Sequence, residues 1–591
     1  MTNTYRRISL CALAALSLTA GALAGESAVF RGVPGGSGDV IAFDVAAPAT
    51  AHSVPGLAGV VLLPLDFSGH SAADELSPRF PRQRLDVPNA SRLVLQNGRG
   101  SLYRFVRSGA TEDAYGFFVV DSIGVRVLHE LKVPSGAGDP FLPTLAVAFD
   151  GAALLAATTL AAGGDLLEIQ VATGAVDVRT SALAPFDFGP FGLGLGPQCG
   201  FAVHASGILR FSRAVGGNAT SVTFPAPAPS WFSRELMLSL QGDHAATTAG
   251  AAATQAFVYA LGTTGAAVQV STTPTSLSGA GFLPAADGPH LAISDDGSTV
   301  AWRTEGLKRE AFMARAQPIG GELPEHLSSD ARFLDTLDEI GLYGFRPASN
   351  RLVVGIGAGD PAFPNTLDKV DFFAVDLQVG APPTFTNLSL SSGDASVPFT
   401  TPPTLKPTNA RWLAGADAFV VHDGNADQVL VVRAAQTGAQ LLMSNAKSLD
   451  WIEALPNELM LSVRDSQGNK PQQLWRVDSA IAGSPTLVAT FQPGNELDRV
   501  AVRADGWLAF IEAGGPSEFV WRYGSASGQV TLLTSRPLPY GPSMGFAPAG
   551  ELLFSIGVPG AQALYGAWPF AGAPKRLPIG PVQPGFVLPG A

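Results

Sequence analysis

The residues best suited to hold a cation are three oxygen-bearing side chains in the short segment DGNAD at 423–427. Asp423, Asn425 and Asp427 alternate along this segment, and Ca²⁺ favours carboxylate and amide oxygens in such a pattern. No Glu closes the loop as it does in an EF-hand. The segment also separates two apolar runs, where Asn, Asp and Gly are the usual turn residues. The three residues are therefore candidate Ca²⁺ ligands, beside the simpler prediction of a hairpin turn.

A second acidic group lies between two apolar runs and is a candidate for ligand binding. Asp360, Asp368 and Asp371 occur where RLVVGIG (351–357) ends and DFFAVDL (371–377) begins. The intervening stretch is longer than a tight hairpin turn requires. Because loops on a rigid scaffold commonly carry binding residues, we predict that this segment forms a binding loop.

No segment carries a complete signature of a catalytic centre. GPSMG (541–545) matches Gly-x-Ser-x-Gly, but the chain after Ser543 continues into an apolar strand rather than the helix that follows a hydrolase nucleophile. Cys199 and His204 could form a thiol nucleophile with its base, and the alternative is that Cys199 is a small buried residue. The eight His are dispersed without a local pair, although a fold that gathers distant loops could still assemble a zinc site. We therefore assign no catalytic residue.

The elements that must position these residues are short apolar strands that recur along the chain. Ten of them follow a polar or Gly-rich turn at intervals of 42 to 60 residues. Most are preceded by another apolar strand, and several of those by a turn signal such as Asp296-Gly297 or Asp505-Gly506. The ten are GFFVVD (116–121), LLEIQVA (166–172), ILRFSRA (208–214), AFVYALG (256–262), AFMARAQ (311–317), DFFAVDL (371–377), QVLVVRA (428–434), QLWRVDS (473–479), EFVWRYG (518–524) and ALYGAWP (563–569).

Each repeat predicts an antiparallel meander of four strands. Small four-stranded sheets packed radially around an axis are the plan of a β-propeller. A row of β-sandwich domains would need about 100 residues per domain, roughly twice the observed period. We predict an all-β fold, a β-propeller built of about ten four-stranded antiparallel units. Rings usually hold about four to eight blades, so one large ring and two tandem rings are both open.

The ends of the chain divide it into four predicted regions. Residues 1–24 have the positive start, apolar stretch and Ala22-Leu23-Ala24 cleavage site of a signal peptide. We therefore expect an exported protein, periplasmic or extracellular. No later apolar run is long enough to span a bilayer, so we expect no transmembrane anchor in the mature chain. The other regions are an N-terminal β segment that could close the ring (25–82), the propeller repeats (83–578) and a Pro-rich C-terminal tail (579–591).

One segment resembles a known superfamily of repeats. HLAISDDGSTVAWR (290–303) has the strand, Ser-x-Asp-Gly turn and second strand that open a WD40-like or TolB-like blade. Ser294, Asp296 and Gly297 fit that pattern, and Asp295 stands where the family has proline. The Gly-His and Trp-Asp marks of true WD40 repeats are absent. The resemblance implies the propeller fold and no particular activity, because this fold hosts many unrelated functions.

Charge and composition restrict the possible partners. The formal net charge is −12 and the pI is about 5.2, which offers no counter-charge to nucleic-acid phosphate. We predict a binding or interaction module for a protein or glycan partner, with no cofactor other than the candidate Ca²⁺. The alternative is a propeller-type hydrolase or lyase with its active site at the central channel. A cluster of His, Asp, Glu or Arg at one mouth of that channel would favour the alternative.

Overall fold

The described part of the computed structural model consists of β-strands and one short 3-10 turn, Pro48–Thr50. No helix among these residues is long and apolar enough to cross a membrane. The described residues are 26–32, 36–45, 47–63, 66–67, 93–95, 100–141, 144–147, 151–158, 164–183, 193–204, 207–214, 217–225, 236–239, 242–251, 255–271, 291–304, 310–318, 323–327, 338–346, 349–360, 363–378, 381–391, 403–413, 418–433, 436–455, 458–465, 471–478, 481, 483–503, 505–514, 518–534, 544–547, 550–556, 563–567, 573–577, 579 and 585–588. The predicted signal peptide, 1–24, lies outside them.

The structure describes 46 strands. In chain order they are β1 (Ser27–Gly32), β2 (Gly38–Phe43), β3 (His52–Ser53), β4 (Val60–Leu63), β5 (Asp66–Phe67), β6 (Leu93–Leu95), β7 (Gly100–Arg107), β8 (Glu112–Asp121), β9 (Gly124–Pro134), β10 (Thr144–Val147), β11 (Ala153–Ala157), β12 (Gly164–Gln170), β13 (Val176–Leu183), β14 (Leu193–Leu195), β15 (Cys199–His204), β16 (Gly207–Ser212), β17 (Thr220–Ser221), β18 (Leu236–Leu238), β19 (Ala245–Ala251), β20 (Gln255–Leu261), β21 (Ala267–Gln269), β22 (Leu291–Ile293), β23 (Thr299–Thr304), β24 (Glu310–Arg315), β25 (Glu325–His326), β26 (Asp338–Phe345), β27 (Leu352–Asp360), β28 (Phe363–Asp376), β29 (Thr384–Asn387), β30 (Pro407–Leu413), β31 (Ala418–Asp423), β32 (Gln428–Arg433), β33 (Gln440–Ser444), β34 (Ala446–Leu455), β35 (Glu458–Asp465), β36 (Gln473–Asp478), β37 (Thr486–Thr490), β38 (Glu496–Val502), β39 (Trp507–Ala513), β40 (Phe519–Gly524), β41 (Gln529–Thr534), β42 (Met544–Phe546), β43 (Leu552–Ile556), β44 (Ala563–Ala567), β45 (Lys575–Arg576) and β46 (Gly585–Leu588).

Most of these strands form four-stranded antiparallel sheets, as the repeat predicts. Among the described residues eight sheets take four consecutive strands each, from β14–β17 to β42–β45. Strands β10–β13 form the same meander, with β5 added in parallel beside β10. The remaining nine-stranded sheet joins two meanders, one of β46, β1, β2 and β3 and one of β4, β6, β7, β8 and β9. We number the resulting units one to eleven, beginning with the unit that contains both chain ends.

Tight turns between the first and second strands explain the recurring Gly. Five of these turns share a backbone pattern in which the fourth residue donates its N–H to the carbonyl of the first. Gly297 occupies that fourth position in the Ser294–Thr299 turn, with φ +70°. Backbone of this kind is left-handed and favours glycine. The Asp-Gly signals of the sequence therefore mark the turns that fold each unit back on itself.

Each unit is apolar on both faces because it packs between two neighbours. Phe117 and Phe118 are adjacent in β8, so their side chains point to opposite faces of the sheet. Phe117 packs against unit three, whereas Phe118 packs against unit one. Phe372 and Phe373 in β28 divide in the same way between units eight and six. The double-aromatic marks of the sequence are therefore positions where both faces of a sheet are buried.

The clusters between units run in sequence order around one closed ring. Ten apolar clusters among the described residues each join neighbouring units, from units one and two to units ten and eleven. The eleventh cluster joins Leu553 and Leu564 of unit eleven to Val29 and Phe43 of unit one. First strands of successive units contact one another, which places them nearest the axis. The all-β propeller is thus a single ring, and the unit formed by both chain ends completes it.

The C-terminal segment contributes a strand to this closure. The sequence predicted a Pro-rich tail at 579–591, whereas β46 within it pairs antiparallel with β1, from Ala28 with Leu588 to Arg31 with Gly585. Leu588 is buried in the cluster between units one and two. A strand of four residues between prolines is too short to stand out in a sequence, because its partner lies more than 500 residues away.

The meander gives the ring two different faces. One face carries the turns between first and second strands and between third and fourth strands, and we call it the turn face. The opposite face carries the turns between second and third strands and the connections between units, and we call it the loop face. Both faces present mostly polar residues, since the apolar side chains lie between the sheets.

Candidate functional site

The candidate Ca²⁺ ligands lie in the turn between β31 and β32 on the loop face. Asp423 is buried, and its Oδ1 accepts hydrogen bonds from the N–H groups of Lys406 (2.9 Å) and Asn425 (3.0 Å). The Asn425 side chain donates to the carbonyl of Thr404 at 3.2 Å. Asp427 has φ +50°, as a residue of a tight turn. These side chains stabilise the hairpin, and Ca²⁺ binding here stays a prediction.

The predicted binding loop between Asp360 and Asp371 is instead an extended hairpin. Strand β27 ends at Asp360, β28 begins at Phe363, and Asp368 lies inside β28. The residues that the sequence assigns to a loop continue the ladder, with Gly359 opposite Leu367. The prediction of a loop was wrong, because the backbone groups of this segment find partners across the hairpin.

Asp371 has a structural role. Its carboxylate is fully buried and accepts hydrogen bonds from Ser389 Oγ (2.6 Å), the Ser391 amide (2.6 Å) and Asn387 Nδ2 (3.1 Å). A buried carboxylate is stable only with such partners. Asp371 therefore fixes the end of β29 against β28 and is not exposed to a ligand.

The sequence candidates for catalysis do not form a centre in the described residues. Cys199 and His204 stand at opposite ends of β15, five residues apart along the strand. Burial raises the pKa of the Cys199 thiol to about 12, which keeps it protonated. Ser543 lies outside the described residues, directly before β42. No group of three His, Cys, Asp or Glu able to hold a metal ion occurs in the part of the chain that the structure describes.

A charged cluster lies on the loop face of units nine and ten, near the axis. Arg464 Nε donates to Asp450 Oδ2 at 2.9 Å, and its Nη2 contacts the carboxylate of Glu496 on the first strand of the next unit. Gln472 Nε2 donates to the same Asp450 oxygen at 2.6 Å, while its Oε1 accepts from the Leu497 amide at 2.5 Å. The cluster therefore joins two units through hydrogen bonds between charged and polar side chains.

A second carboxylate pair lies on the same face of unit ten. Burial, together with the negative charge of Asp498, raises the pKa of Glu518 above its ordinary range. Arg499 Nε lies 3.2 Å from Asp498 Oδ2, and burial lowers the pKa of this guanidinium. A carboxyl group whose pKa is raised by burial, as that of Glu518 is, suits a general acid. The sequence did not single out these residues, because each belongs to an ordinary strand or turn.

A cleft of about 550 Å³ lies on the turn face of units five, six and seven. Its walls are the β20–β21 turn with Thr263 and Thr264, the β22–β23 turn with Asp296 and Ser298, and the β26–β27 turn with Asn350. The ends of β24 and β28 complete it. Three consecutive units therefore contribute turns to one concave surface.

Asp296 is the centre of the hydrogen-bond network in the cleft. Its Oδ1 accepts from Ser294 Oγ (2.7 Å) and the Ser298 amide (2.9 Å), and its Oδ2 accepts from Asn350 Nδ2 of the next unit at 3.4 Å. Partial burial by itself would raise the pKa of Asp296. The hydrogen bonds from Ser298, Ser294 and Asn350 have a larger combined effect, so the pKa lies below its ordinary value. This carboxylate is ionised at neutral pH and serves as a fixed acceptor.

The other charges of the cleft are also held in place. Arg351 forms a two-point ion pair with Asp376, with Nε to Oδ1 at 2.9 Å and Nη2 to Oδ2 at 2.8 Å. His244 packs directly over Gly297, where an added Cβ would lie 2.3 Å from the His244 Cβ. Among the described contacts, the His244 ring forms no hydrogen bond with Asp296 or Ser298. Among the described contacts, His244, Asp296 and Ser298 therefore do not form a nucleophile–base–acid relay.

The sequence located part of this cleft without recognising it. Ser294, Asp296 and Gly297 were identified as the turn of a WD40-like or TolB-like blade. No sequence signal links them to Thr264, Asn350 or Arg351, because these residues approach only when neighbouring units pack side by side.

Comparisons with known proteins add little beyond the fold. No family model matches the chain, and no curated protein matches it. Among solved structures, one from a study of two prolyl endopeptidases is 13% identical, with a TM-score of 0.30, 58% of this chain covered and 49% of that chain. A mutant puromycin hydrolase complexed with PGG is also 13% identical, with a TM-score of 0.29, 77% of this chain covered and 66% of that chain. The chain thus spans about half to two thirds of the length of these structures. Similarities this weak carry no information about the activity of this chain.

Proposed function

We propose that the protein is an exported binding module that holds a protein or glycan partner through the cleft on the turn face. The observation that carries this proposal is the cleft itself, a preformed cavity whose polar groups are already oriented by Asp296 and by the Arg351–Asp376 pair. A volume of about 550 Å³ falls in the range of roughly 300–1,000 Å³ of ligand sites. Preorganised polar groups bind with a small entropic cost.

The test uses the full chain and a variant whose cleft is blocked. Thr264 is an exposed cleft residue, so Thr264→Trp should fill the cavity without disturbing the core. Thr173→Trp, at an exposed residue of the corresponding β12–β13 turn of unit three, is the matched control. Capture of a partner from envelope or medium extract should be lost in Thr264→Trp and retained in Thr173→Trp. A partner that binds both variants equally would contradict the proposal.

A second candidate function is a hydrolase or lyase on the loop face. It is favoured by the charged residues near the axis of units nine and ten, where the raised pKa of Glu518 beside Asp498 suits a general acid. Glu518→Gln should then abolish turnover of glycoside or ester substrates while Thr264→Trp leaves it unchanged. Turnover that survives in Glu518→Gln would exclude this role.

A further inference from the structure

We propose that the cleft on the turn face binds a neutral polyhydroxylated ligand, a short segment of an oligosaccharide without acidic groups. This inference rests on the proposed function and names the class of ligand. It follows from three properties of the cleft: charges of both signs, hydrogen-bond donors beside acceptors, and apolar side chains in the same lining.

The charges of the cleft are compensated within it. Arg351 is paired with Asp376 at two points, and Asp296 is held by hydroxyl, amide N–H and side-chain amide groups. The walls thus carry positive and negative charges, since Arg315 lines the cleft together with the two carboxylates. His244 belongs to the same lining. Asp296 and Asp376 would repel an anionic ligand, and the guanidinium groups would repel a cationic one. A neutral ligand meets neither repulsion.

Donors and acceptors alternate around the cleft at short range. The Asp296 carboxylate only accepts hydrogen bonds. The Asn350 side chain, whose Nδ2 lies 3.4 Å from Asp296 Oδ2, can donate through its amide nitrogen and accept through its carbonyl oxygen. Ser298, Thr263 and Thr264 add hydroxyl groups that donate and accept. Each hydroxyl of a sugar loses a donor and an acceptor contact with water when it is buried, so a site must replace both kinds. A carboxylate beside an amide can do this for two neighbouring hydroxyls.

Apolar side chains form part of the cleft lining. Ala260 and Ala316 are buried there beside Leu261. Apolar groups of this kind can contact the C–H face of a sugar ring through dispersion. A peptide partner is usually held by a deep pocket for a large side chain or by pairing with a strand edge, whereas the hydroxyl, amide and carboxylate groups of this cleft match the hydroxyls of a saccharide.

The experiment presents the full chain to arrays of neutral oligosaccharides, acidic oligosaccharides and mixed-sequence peptides. Binding to neutral oligosaccharides is expected, at least tenfold weaker in Asn350→Ala, lost in Thr264→Trp and unchanged in Thr173→Trp. Thermal unfolding of each variant shows whether it is folded. Neutral-saccharide binding that persists in a folded Thr264→Trp protein would overturn the proposal.

Other outcomes separate this proposal from the proposed function. Cleft-dependent binding only to acidic saccharides or only to peptides would overturn the ligand class and leave the binding module intact. No binding on any array would also overturn the ligand class. In that case capture from extract decides the proposed function. The binding module stands if a partner is captured whose binding resists periodate, is destroyed by protease and is lost in Thr264→Trp. Absence of any cleft-dependent capture would refute the module as well.

Discussion

The two faces of the ring use the same kinds of residues in opposite ways. On the turn face, Asp296 is held by short hydrogen bonds that lower its pKa, and a cavity stays open beside it. On the loop face of units nine and ten, Arg464 joins Asp450 to Glu496 across the unit boundary, and burial raises the pKa of Glu518. Donors that point at a carboxylate favour its charged form, whereas burial disfavours it. The first face therefore holds a charged carboxylate beside an open cavity, and on the second the charges link neighbouring units.

The largest effect is expected from opening the ring on which both faces depend. Deleting residues 585–591 removes β46, the neighbour of β1, and takes Leu588 from the cluster between units one and two. We expect a loss of several kcal/mol in the free energy of unfolding, measured by urea denaturation with tryptophan fluorescence. The substitution Leu532→Ala, at a leucine that is 40% exposed on β41, is the control and should cost little. Equal stability of the two proteins would show that β46 does not close the ring.

A smaller but local effect is expected at the glycine beneath His244. In Gly297→Ala the new Cβ would lie 2.3 Å from the His244 Cβ, on backbone with φ +70°. We expect a loss of about 3 kcal/mol in stability from strain and crowding, with weaker ligand binding because His244 lines the cleft. Gly438→Ala is the matched control, since φ is +91° there and no atom lies within 4 Å of the added Cβ. It should cost about 1–2 kcal/mol, and similar losses in both variants would show that His244 moves freely.

The loop face should show a pH dependence set by Glu518. The pKa of Glu518 is raised above its ordinary value of 4.5, so the folded protein binds this proton more tightly than the unfolded chain. Stability from this group is present below pH 4.5 and is lost as the pH rises through the folded pKa. Glu518→Gln should remove that decline and stabilise the protein at pH 7 by less than about 1 kcal/mol. Unfolding midpoints from about pH 4 to pH 8 measure it.

A matched substitution separates the titration of Glu518 from a general loss of charge. Glu496→Gln removes the ion pair with Arg464 and should not stabilise the protein at pH 7. A gain in both variants would mean that the net charge of the chain, rather than the burial of Glu518, causes the effect.

The smallest effect is expected for Asp296 in the cleft. Its pKa lies below 3.8, so its contribution to stability is complete above that pH and is lost as the pH falls through the folded pKa. Asn350→Ala removes one donor, at 3.4 Å, and should move this pKa upward while changing stability by less than about 0.5 kcal/mol. Carboxyl titration by NMR measures the shift. An unchanged pKa would show that Ser294 and Ser298 alone hold the carboxylate.

The sequence predicted the repeating part of the fold because each unit is encoded locally. Apolar strands with turn residues at regular intervals predict four-stranded meanders, and Gly297 and Gly506 lie in the predicted turns with positive φ. The sequence failed at Asp360–Asp371, where a long hairpin and a loop have similar composition. It also missed β46, whose pairing joins residues at opposite ends of the chain.

The fold class and the tight turns were determined by the sequence itself, because hydrophobic periodicity and positive-φ glycines act within a few residues of one another. The closure of the ring, the position of the cleft and the roles of its charges were decided by the tertiary structure. Asp296, Asn350, Arg351 and Thr264 come from three units, and only the packing of neighbouring sheets brings them to one surface. The same packing buries Glu518 while it leaves Asp296 among hydrogen-bond donors. Residue type alone could not distinguish these two carboxylates, since their surroundings set their chemistry.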